Sequence, residues 1–447
     1  MIRKWLRGGP ALAVLFLLTF VVELYMLTFW MGKPSLGSSP FIWAVTGMLN
    51  AWTGSVLIAR YGTGLDDYTA RFTNLLSWRS LVALLALAGG IWYAGSLLAH
   101  VYHEIPEFST ASDILPGKRE YVRRFLHGET VYVPVQFDSY ALQPTFLPFR
   151  WLPFVIAELM HFDYRWIPFA GFVAGMGFWI FSNVVIGKQS SYWEIVLKAF
   201  LPFLALGAFV VHEKIDFAVT VELLILGYHL ILARFIFSKN PWVVGFSLVL
   251  CLLSRYSIVL WLAVPVWWLL LEKRYAFLGK VMLLSIAGIF LFYWLPFCRH
   301  DMGRHFLAAS EYYVEACKVC WKVDSWLPPG SLPNFMGKGQ GFQYLSYAYG
   351  NGGLEEKYQL NINLGLIVSA IVVLASCRSI YRHLNREDDP VAIQGLLLGS
   401  FKIYMLFFIG FILCPFSYLF IVPFFMSLPL LYSISFKSAF LNQRRDI

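Results

Sequence analysis

The chain has 447 residues, of which 59% are hydrophobic and only 14% are charged, whereas a soluble domain carries about 25% charged residues. This composition excludes an ordinary soluble protein and predicts an all-α integral membrane protein that crosses the membrane many times. The net charge of +9 does not indicate nucleic acid binding, because the cations are spread over short loops and do not form one basic domain.

Apolar runs long enough to cross about 30 Å of hydrocarbon predict the membrane spans. The runs are 10–31, 41–59, 80–101, 166–187, 195–211, 217–236, 276–297, 361–381, 393–413 and 416–436. The segment 242–271 adds two short spans broken at Ser254–Arg255, so we expect about twelve helices, with 146–161 as a further half-inserted segment. The first run is too long for the apolar region of a signal peptide and is interpreted as a retained helix.

Lys and Arg in the short loops predict the orientation, because cytoplasmic loops retain these residues. With the N-terminus inside, every other short inside loop is basic: Arg60, Arg71 and Arg79; Lys188; Lys239; Lys273 and Arg274; Arg378, Arg382 and Arg386; Lys437, Arg444 and Arg445. The outside connections are then 32–40, 102–165, 212–216, the break near Arg255, 298–360 and Cys414–Pro415. Both long loops therefore lie on the outer face of a cell (inner) membrane, and both termini are cytoplasmic.

Residues 1–79 contain two spans and a polar loop and are predicted to form an accessory bundle ahead of a core, 80–447. The sequence contains no soluble domain. Any chemistry must therefore be carried out by loops that lie against the membrane.

The first long polar segment after a span runs from Ser112 to Pro153 and opens with Asp113. A charged loop between two apolar runs lies at headgroup level, where it meets lipid phosphates. Asp113 has two interpretations. It is either a general base that takes a proton from an acceptor hydroxyl, or the N-cap of the basic helix expected at 117–127.

The same segment carries a basic cluster, with two interpretations that the sequence leaves open. Its members are Lys118, Arg119, Arg123 and Arg124. Arginine forks bind phosphate oxygens in pairs, which favours a phosphate clamp. A helix face that extends its cations to anionic lipid headgroups needs no chemistry.

Arg255 lies within an otherwise apolar stretch, LCLLSRYSIVLWL. A charge at that depth requires a polar cavity and an anionic partner, which is either a structural acid or a lipid phosphate. The turn His212–Asp216 contains four ionisable residues and is either a solvated hairpin tip or a second part of the site, with His212 or Glu213 contacting sugar or phosphate.

The loop 298–360 contains Cys317 and Cys320 in a C-x2-C pattern without the second pair that a zinc site needs. A disulfide or free thiols remain as interpretations. Cys251, Cys377 and Cys414 lie in or beside apolar runs, where a thiol is expected to act as a small hydrophobic side chain. The aromatic, Pro-rich and Gly-rich run that follows is either a surface loop or a cover for a bound sugar.

The chain has no Gly-rich phosphate loop, no G-x-S-x-G elbow and no H-E-x-x-H pair. The loop residues instead resemble the polytopic C-type (GT-C) glycosyltransferases, which use polyprenyl-phosphate sugars on the non-cytoplasmic face. The matching residues are Asp113, Tyr121, Gly128-Glu129-Thr130-Val131-Tyr132, Tyr140, Pro144 and Pro148, followed by His212–Asp216, Arg255 and Glu272-Lys273-Arg274. The similarity covers roughly 80–300 and the final spans. The family's Gly-Asn turn and second acid are absent, and the two N-terminal spans precede its usual first helix.

The resemblance implies an inverting hexosyl- or pentosyltransferase that moves a sugar from a polyprenyl phosphate to a lipid-linked or glycan acceptor, with membrane lipids as further partners. It implies Asp113 as the base and Arg255 with the basic cluster as ligands of the donor phosphate. Tyr121, Tyr132 and Tyr140 are expected to contact substrate. The resemblance gives no certain cofactor and no metal ligand, and a divalent metal ion stays open. The alternatives are a transporter or lipid-linked saccharide flippase, or a non-catalytic scaffold of a glycan assembly complex.

Overall fold

A computed structural model describes residues 8–29, 39–62, 77–108, 112–137, 140–185, 191–299, 302–323, 332–333, 336, 341–385, 389–414 and 416–441. The described chain is a bundle of α-helices with one small two-stranded antiparallel hairpin. Much of the aromatic, Pro-rich and Gly-rich run expected to cover a bound sugar lies outside these residues.

The helices in chain order are α1 (Gly9–Phe29), α2 (Ser39–Tyr61), α3 (Trp78–Glu104), α4 (Ile114–Leu126), α5 (Phe154–Met160), α6 (Trp166–Trp179), α7 (Tyr192–His212), α8 (Lys214–Val219), α9 (Glu222–Phe235), α10 (Pro241–Leu252), α11 (Ala263–Leu271), α12 (Tyr275–Ile289), α13 (Arg304–Val319), α14 (Gln343–Tyr349), α15 (Leu354–Leu384), α16 (Pro390–Gly410), α17 (Ile421–Phe425), α18 (Ser427–Ser433) and α19 (Phe436–Phe440). Strands β1 (Val135–Gln136) and β2 (Ala141–Leu142) pair between α4 and α5. Short 3-10 turns lie at Pro148–Arg150, Tyr256–Ile258 and Ser417–Phe420, and π-helical turns extend α6 and α12 at Ile180–Val185 and Phe290–Cys298.

Seven of the described helices are long and apolar enough to cross a membrane: α1, α2, α3, α7, α12 with its extension to Cys298, α15 and α16. Shorter apolar helices occur at Trp166–Ser182, Pro241–Leu252 and Ser417–Ser433. The all-α, multi-pass class is therefore confirmed. The number of about twelve spans stays a prediction. The expected break at Ser254–Arg255 is present, since α10 ends at Leu252 and α11 begins at Ala263.

Polar caps determine where two of the apolar helices begin. The side chain of Asn240 accepts a hydrogen bond from the backbone N–H of Trp242 at 3.0 Å, and Asp389 accepts one from Val391 at 2.9 Å. In both cases proline is the first helical residue, where its missing N–H costs nothing. The sequence therefore starts α10 and α16 by local chemistry, independently of how they pack.

Connections predicted to share the outer face meet at one end of the bundle. The contacts are Lys214 Nζ to Glu104 Oε2 at 3.1 Å, a hydrogen bond from Ser417 to Asp216, and a disulfide between Cys320 and Cys414. Connections predicted to lie inside meet elsewhere. There the carboxylate of Glu194 accepts the backbone N–H groups of Phe436 and Lys437 at 3.1 and 3.3 Å. Which end faces the cytoplasm stays a prediction.

The two N-terminal helices pack into the bundle through a buried ion pair. Lys402 Nζ on α16 lies 2.8 Å from Glu23 Oε2 on α1, and both side chains are fully buried. The ammonium also donates to Ser427 Oγ at 2.7 Å. The division into 1–79 and 80–447 stays a prediction, but α1 and α2 contact the C-terminal helices directly.

The expectation for Cys414 is wrong. Its sulfur is bonded to Cys320, 94 residues earlier, while Cys317 of the same C-x2-C pattern is a buried free thiol. The pairing arises because the end of α13 and the connection after α16 approach each other, which the local spacing does not reveal. The disulfide ties the loop 298–360 to the last connection of the bundle.

Candidate active site

Asp113 immediately precedes α4 but does not cap it. The backbone N–H of Ile114 donates to Ser112 Oγ at 3.1 Å, whereas Asp113 makes no capping hydrogen bond. Instead Asp113 Oδ2 accepts a hydrogen bond from Tyr140 Oη at 2.9 Å. The N-cap interpretation of Asp113 therefore does not hold, and its carboxylate faces another part of the loop.

The hairpin β1–β2 places Tyr140 beside Asp113. The backbone N–H of Phe137 donates to Tyr140 O at 2.8 Å, and the two rings stack with centroids 5.2 Å apart. Burial, followed by the hydrogen bond to Asp113, raises the pKa of Tyr140. Tyr140 therefore keeps its proton and remains a donor to the carboxylate.

Lys118 lies one helical turn after Asp113 and is fully buried. Its ammonium donates to Ile114 O at 3.2 Å and lies 4.0 Å from the centroid of the Phe146 ring. The guanidinium of Arg150 lies over the same ring, 4.9 Å from its centroid. Burial, followed by the charge of Arg150, lowers the pKa of Lys118 well below its ordinary value. Two cations thus pack against one aromatic ring.

Arg255 lies in the break between α10 and α11, where an extended backbone aims it at α9. Its Nη1 and Nη2 donate to Glu222 Oε2 and Oε1 at 2.8 and 2.7 Å. Arg150 Nη2 approaches Glu222 Oε1 at 3.7 Å. Glu222 is fully buried. The sequence prediction that Arg255 needs an anionic partner is therefore met by a protein carboxylate.

We call Lys118, Arg150, Arg255 and Glu222 the cation cluster. It holds three cations and one carboxylate, so it carries an excess of positive charge in a buried place. Arg150 Nε is buried and, among the described residues, has no hydrogen-bond partner. Lys118 likewise forms no ion pair with any described residue. Unbalanced buried cations are costly unless an anion joins them, and arginine forks suit phosphate oxygens.

Three of the four cations in the predicted basic cluster have other contacts. Arg119 is exposed and lies 4.5 Å from the centroid of the Phe108 ring. Arg123 pairs with Glu120 and Glu129 at 2.8 and 3.0 Å. Arg124 donates to Glu120 at 2.9 Å and to the carbonyl oxygens of Val131, Val133 and Pro134. Lys118 is therefore the one member of the predicted basic cluster that also belongs to the cation cluster.

Tyr121 and Tyr132 belong to an aromatic core behind the loop. Tyr121 is fully buried against Tyr132 and Trp151, and Tyr132 Oη accepts from Trp151 Nε1 at 3.2 Å. Tyr132 also stacks on His305, with ring centroids 4.5 Å apart. Tyr121 and Tyr132 therefore pack within this aromatic core, whereas Tyr140 lines a cleft.

The predicted second part of the site has contacts of its own. The ring of His212 packs against Phe29 with centroids 4.5 Å apart, and Glu213 precedes α8, where its carbonyl oxygen accepts from Phe217 N at 3.2 Å. Asp216 is bound by Ser417. A role for His212 and Glu213 in substrate binding stays a prediction.

A cleft of about 820 Å³ opens beside Tyr140, between the hairpin, α13 and the start of α15. Its lining residues include Tyr140, Tyr312, Glu315, Lys318, Lys322 and Glu355. We call it the tyrosine cleft. Within the described ranges no group of three or more His, Cys, Asp or Glu residues is arranged to hold a metal ion.

Sequence reasoning missed Arg150 and Glu222. A signal for Glu222 was present, since it is a lone acid in the apolar run 217–236, the same anomaly that singled out Arg255. Arg150 had no comparable signal, because a cation in a loop near the membrane surface is ordinary. Comparison with protein-family models, with curated proteins and with solved structures finds no match to this chain.

Proposed function

We propose that the protein is a membrane glycosyltransferase that moves a sugar from a polyprenyl-phosphate donor to an acceptor hydroxyl at the outer face. One observation carries the proposal: a buried cation cluster with excess positive charge lies near a half-buried aspartate, Asp113, which is hydrogen-bonded by a residue that lines a cleft, Tyr140. Lys118 connects them, because it lies about one helical turn after Asp113 on α4 and the charge of Asp113 acts on its ammonium. The resemblance of the loop residues to C-type glycosyltransferases supports the same reading.

In this mechanism the acceptor hydroxyl oxygen forms a bond to the anomeric carbon while the bond from that carbon to the phosphate oxygen breaks. The hydroxyl proton goes to Asp113, and the electron pair of the broken bond leaves with the phosphate. A general base contributes typically ~100- to 10,000-fold in rate. Fixed cations stabilise the charge that develops on the leaving phosphate. Attack opposite the leaving group inverts the sugar configuration.

The proposed donor-phosphate ligands are Lys118, Arg150 and Arg255. Glu222 positions Arg255 by holding both of its terminal nitrogens. Tyr140 positions Asp113 by donating to Oδ2. Arg123 and Arg124 are left out of the phosphate site, because among the described residues they contact Glu120, Glu129 and backbone carbonyl oxygens and no member of the cation cluster. The product would be an envelope glycan, a glycolipid or a glycosylated protein.

The test is binding of a radiolabelled polyprenyl phosphate to the purified protein in detergent, followed by sugar transfer in proteoliposomes. Arg150→Met should weaken lipid-phosphate binding strongly, because Arg150 Nε has no other described partner. Arg123→Met is the matched control, since Arg123 is bound by Glu120 and Glu129 at the exposed side of α4. Equal binding by the two variants would contradict the proposal.

A transporter is the second candidate, and one observation favours it. The buried pair Glu23–Lys402 lies on spanning helices, and Glu23 Oε1 is buried without a partner among the described residues. Ionisable residues inside a membrane often mark translocation paths. Movement of labelled lipid-linked sugar across proteoliposomes, lost in Lys402→Met and unaffected by Asp113→Asn, would favour transport over transfer. A scaffold predicts that neither substitution matters.

A further inference from the structure

The tyrosine cleft differs in charge from the cation cluster. Lys318 Nζ pairs with Glu315 Oε1 at 2.9 Å and with Glu355 Oε2 at 3.0 Å, which joins α13 to α15 across the cleft. With Lys322, the lining holds two acids and two lysines and is neutral as a whole. A phosphate would find no excess positive charge here. The cation cluster and the tyrosine cleft therefore suit different ligands.

Aromatic side chains supply the remaining surface. Tyr140 is 42% exposed, and Tyr312 is half-buried on the facing side of the cleft. Small-molecule sites are typically ~300–1,000 Å³ and present aromatic faces with a few polar groups, and the cleft volume of about 820 Å³ lies in this range. The C–H face of a sugar ring is apolar and packs on an aromatic face, while its hydroxyl groups bind lysine and carboxylate side chains.

The cleft also reaches the proposed base. Tyr140 lines the cleft and donates to Asp113 Oδ2 at 2.9 Å. Burial, followed by the charge of Asp113, raises the pKa of Tyr312. A hydroxyl group held beside Tyr140 in the cleft is therefore close to Asp113.

We infer that the tyrosine cleft binds the acceptor, and that the acceptor is an uncharged carbohydrate whose rings pack on Tyr140 and Tyr312. This inference rests on the proposed function for its role in transfer, but binding of a neutral sugar is testable alone. The donor's charged phosphate and the acceptor's neutral sugar would then bind at two separate places, the cation cluster and the tyrosine cleft, which are linked to Asp113 through Lys118 and Tyr140.

The experiment measures ligand binding to the full-length protein in detergent by saturation-transfer NMR. The probes are mannotriose, which is neutral, and trigalacturonate, which has the same number of rings and three carboxylates. Mannotriose should bind at millimolar concentration, with little change between low and high salt, since salt screens only charge interactions. Tyr312→Ala should weaken its binding about 2- to 10-fold, as expected for the loss of one aromatic face.

A control variant separates the outcomes. Tyr349→Ala removes a tyrosine that is 73% exposed and is not a lining residue of the cleft, and should leave binding unchanged. No mannotriose signal, an equal signal from Tyr312→Ala, or salt-dependent preference for trigalacturonate would overturn the inference. Normal mannotriose binding without any polyprenyl-phosphate binding would contradict the proposed function alone.

Discussion

Arg255 and Glu222 form a two-pronged ion pair in which both terminal nitrogens of the guanidinium reach both oxygens of a fully buried carboxylate, at 2.8 and 2.7 Å. Removing one partner of a buried pair leaves an uncompensated charge, which costs about 3–5 kcal/mol. We expect Arg255→Leu to lower thermal stability strongly. Arg255→Lys should be milder in stability but weaker in phosphate binding, because lysine lacks the fork.

The double variant Arg255→Leu with Glu222→Leu tests the charge balance of the cation cluster. Glu222 also pairs with Arg150 at 3.7 Å, so its removal leaves Arg150 and Lys118 without a carboxylate in the cluster. We therefore expect the double variant to be less stable than Arg255→Leu, because buried cations without an anion are costly. Thermal unfolding in detergent is the measurement. A double variant more stable than Arg255→Leu would show that Glu222 balances Arg255 alone.

Replacing Lys118 should have the opposite effect on stability from replacing Arg255. It is a buried cation without an ion pair among the described residues, so Lys118→Met should raise the melting temperature while it weakens phosphate binding. Because the pKa of Lys118 is lower in the folded than in the unfolded protein, the unfolded state binds more protons between the two values. Stability should therefore rise with pH in that window. In Lys118→Met, this contribution to the increase of stability with pH should be absent.

Binding of an anion should reverse the effect of burial on Lys118, because a phosphate favours the charged amine. We expect the wild-type protein to take up a proton when it binds inorganic pyrophosphate at a pH above the lowered pKa of Lys118, so binding is measured over a series of pH values up to about 10. Calorimetry in two buffers of different ionisation enthalpy measures the uptake. Lys118→Met should bind without it, and equal uptake by both proteins would exclude Lys118 as the proton acceptor.

The disulfide Cys320–Cys414 makes a prediction about compartment and orientation. Disulfides persist in oxidising environments, so the native protein should show the Cys320–Cys414 peptide under non-reducing conditions, and Cys317→Ser should not abolish it. In a background without other reactive thiols, Glu129→Cys and Glu356→Cys should be labelled from outside the cell by a membrane-impermeant maleimide, whereas Arg382→Cys should not. Labelling of Arg382→Cys alone would invert the predicted topology.

The multi-pass helical class, the break before Arg255 and the polar loop after Ser112 were predictable because they depend on local hydrophobicity and on local start and stop signals. The pairing of Cys320 with Cys414 was not, since the two residues lie 94 positions apart and neither run of sequence marks the other. The contact between Asp113 and Tyr140 also depends on a hairpin too short to be recognised by alternation. The excess of positive charge at the cation cluster was not predictable either, because its four residues come from separate segments that only the fold brings together.

Asp113 should be the residue whose loss removes transfer without removing the fold. Its carboxylate has no capping hydrogen bond in the structure, so neither Asn nor Ala at this position removes a helix cap. Asp113→Asn keeps the size of the side chain but cannot take the acceptor proton. We expect transfer to fall by ~100- to 10,000-fold, with polyprenyl-phosphate binding largely retained.

Ser112→Ala provides the matched control for Asp113. Ser112 Oγ accepts from the backbone N–H of Ile114, so its removal should cost about 0.5–1.5 kcal/mol of stability and leave transfer near the wild-type rate. The rate of sugar transfer by Tyr140→Phe should lie between the rates of Asp113→Asn and Ser112→Ala. This substitution leaves the base in place but removes the hydroxyl group that orients it. The comparison needs melting temperature, lipid-phosphate binding and sugar transfer for each variant. Wild-type transfer by Asp113→Asn would remove the base from the mechanism, whereas loss of transfer by Ser112→Ala would mean that the fold of α4, and not the carboxylate, limits the reaction.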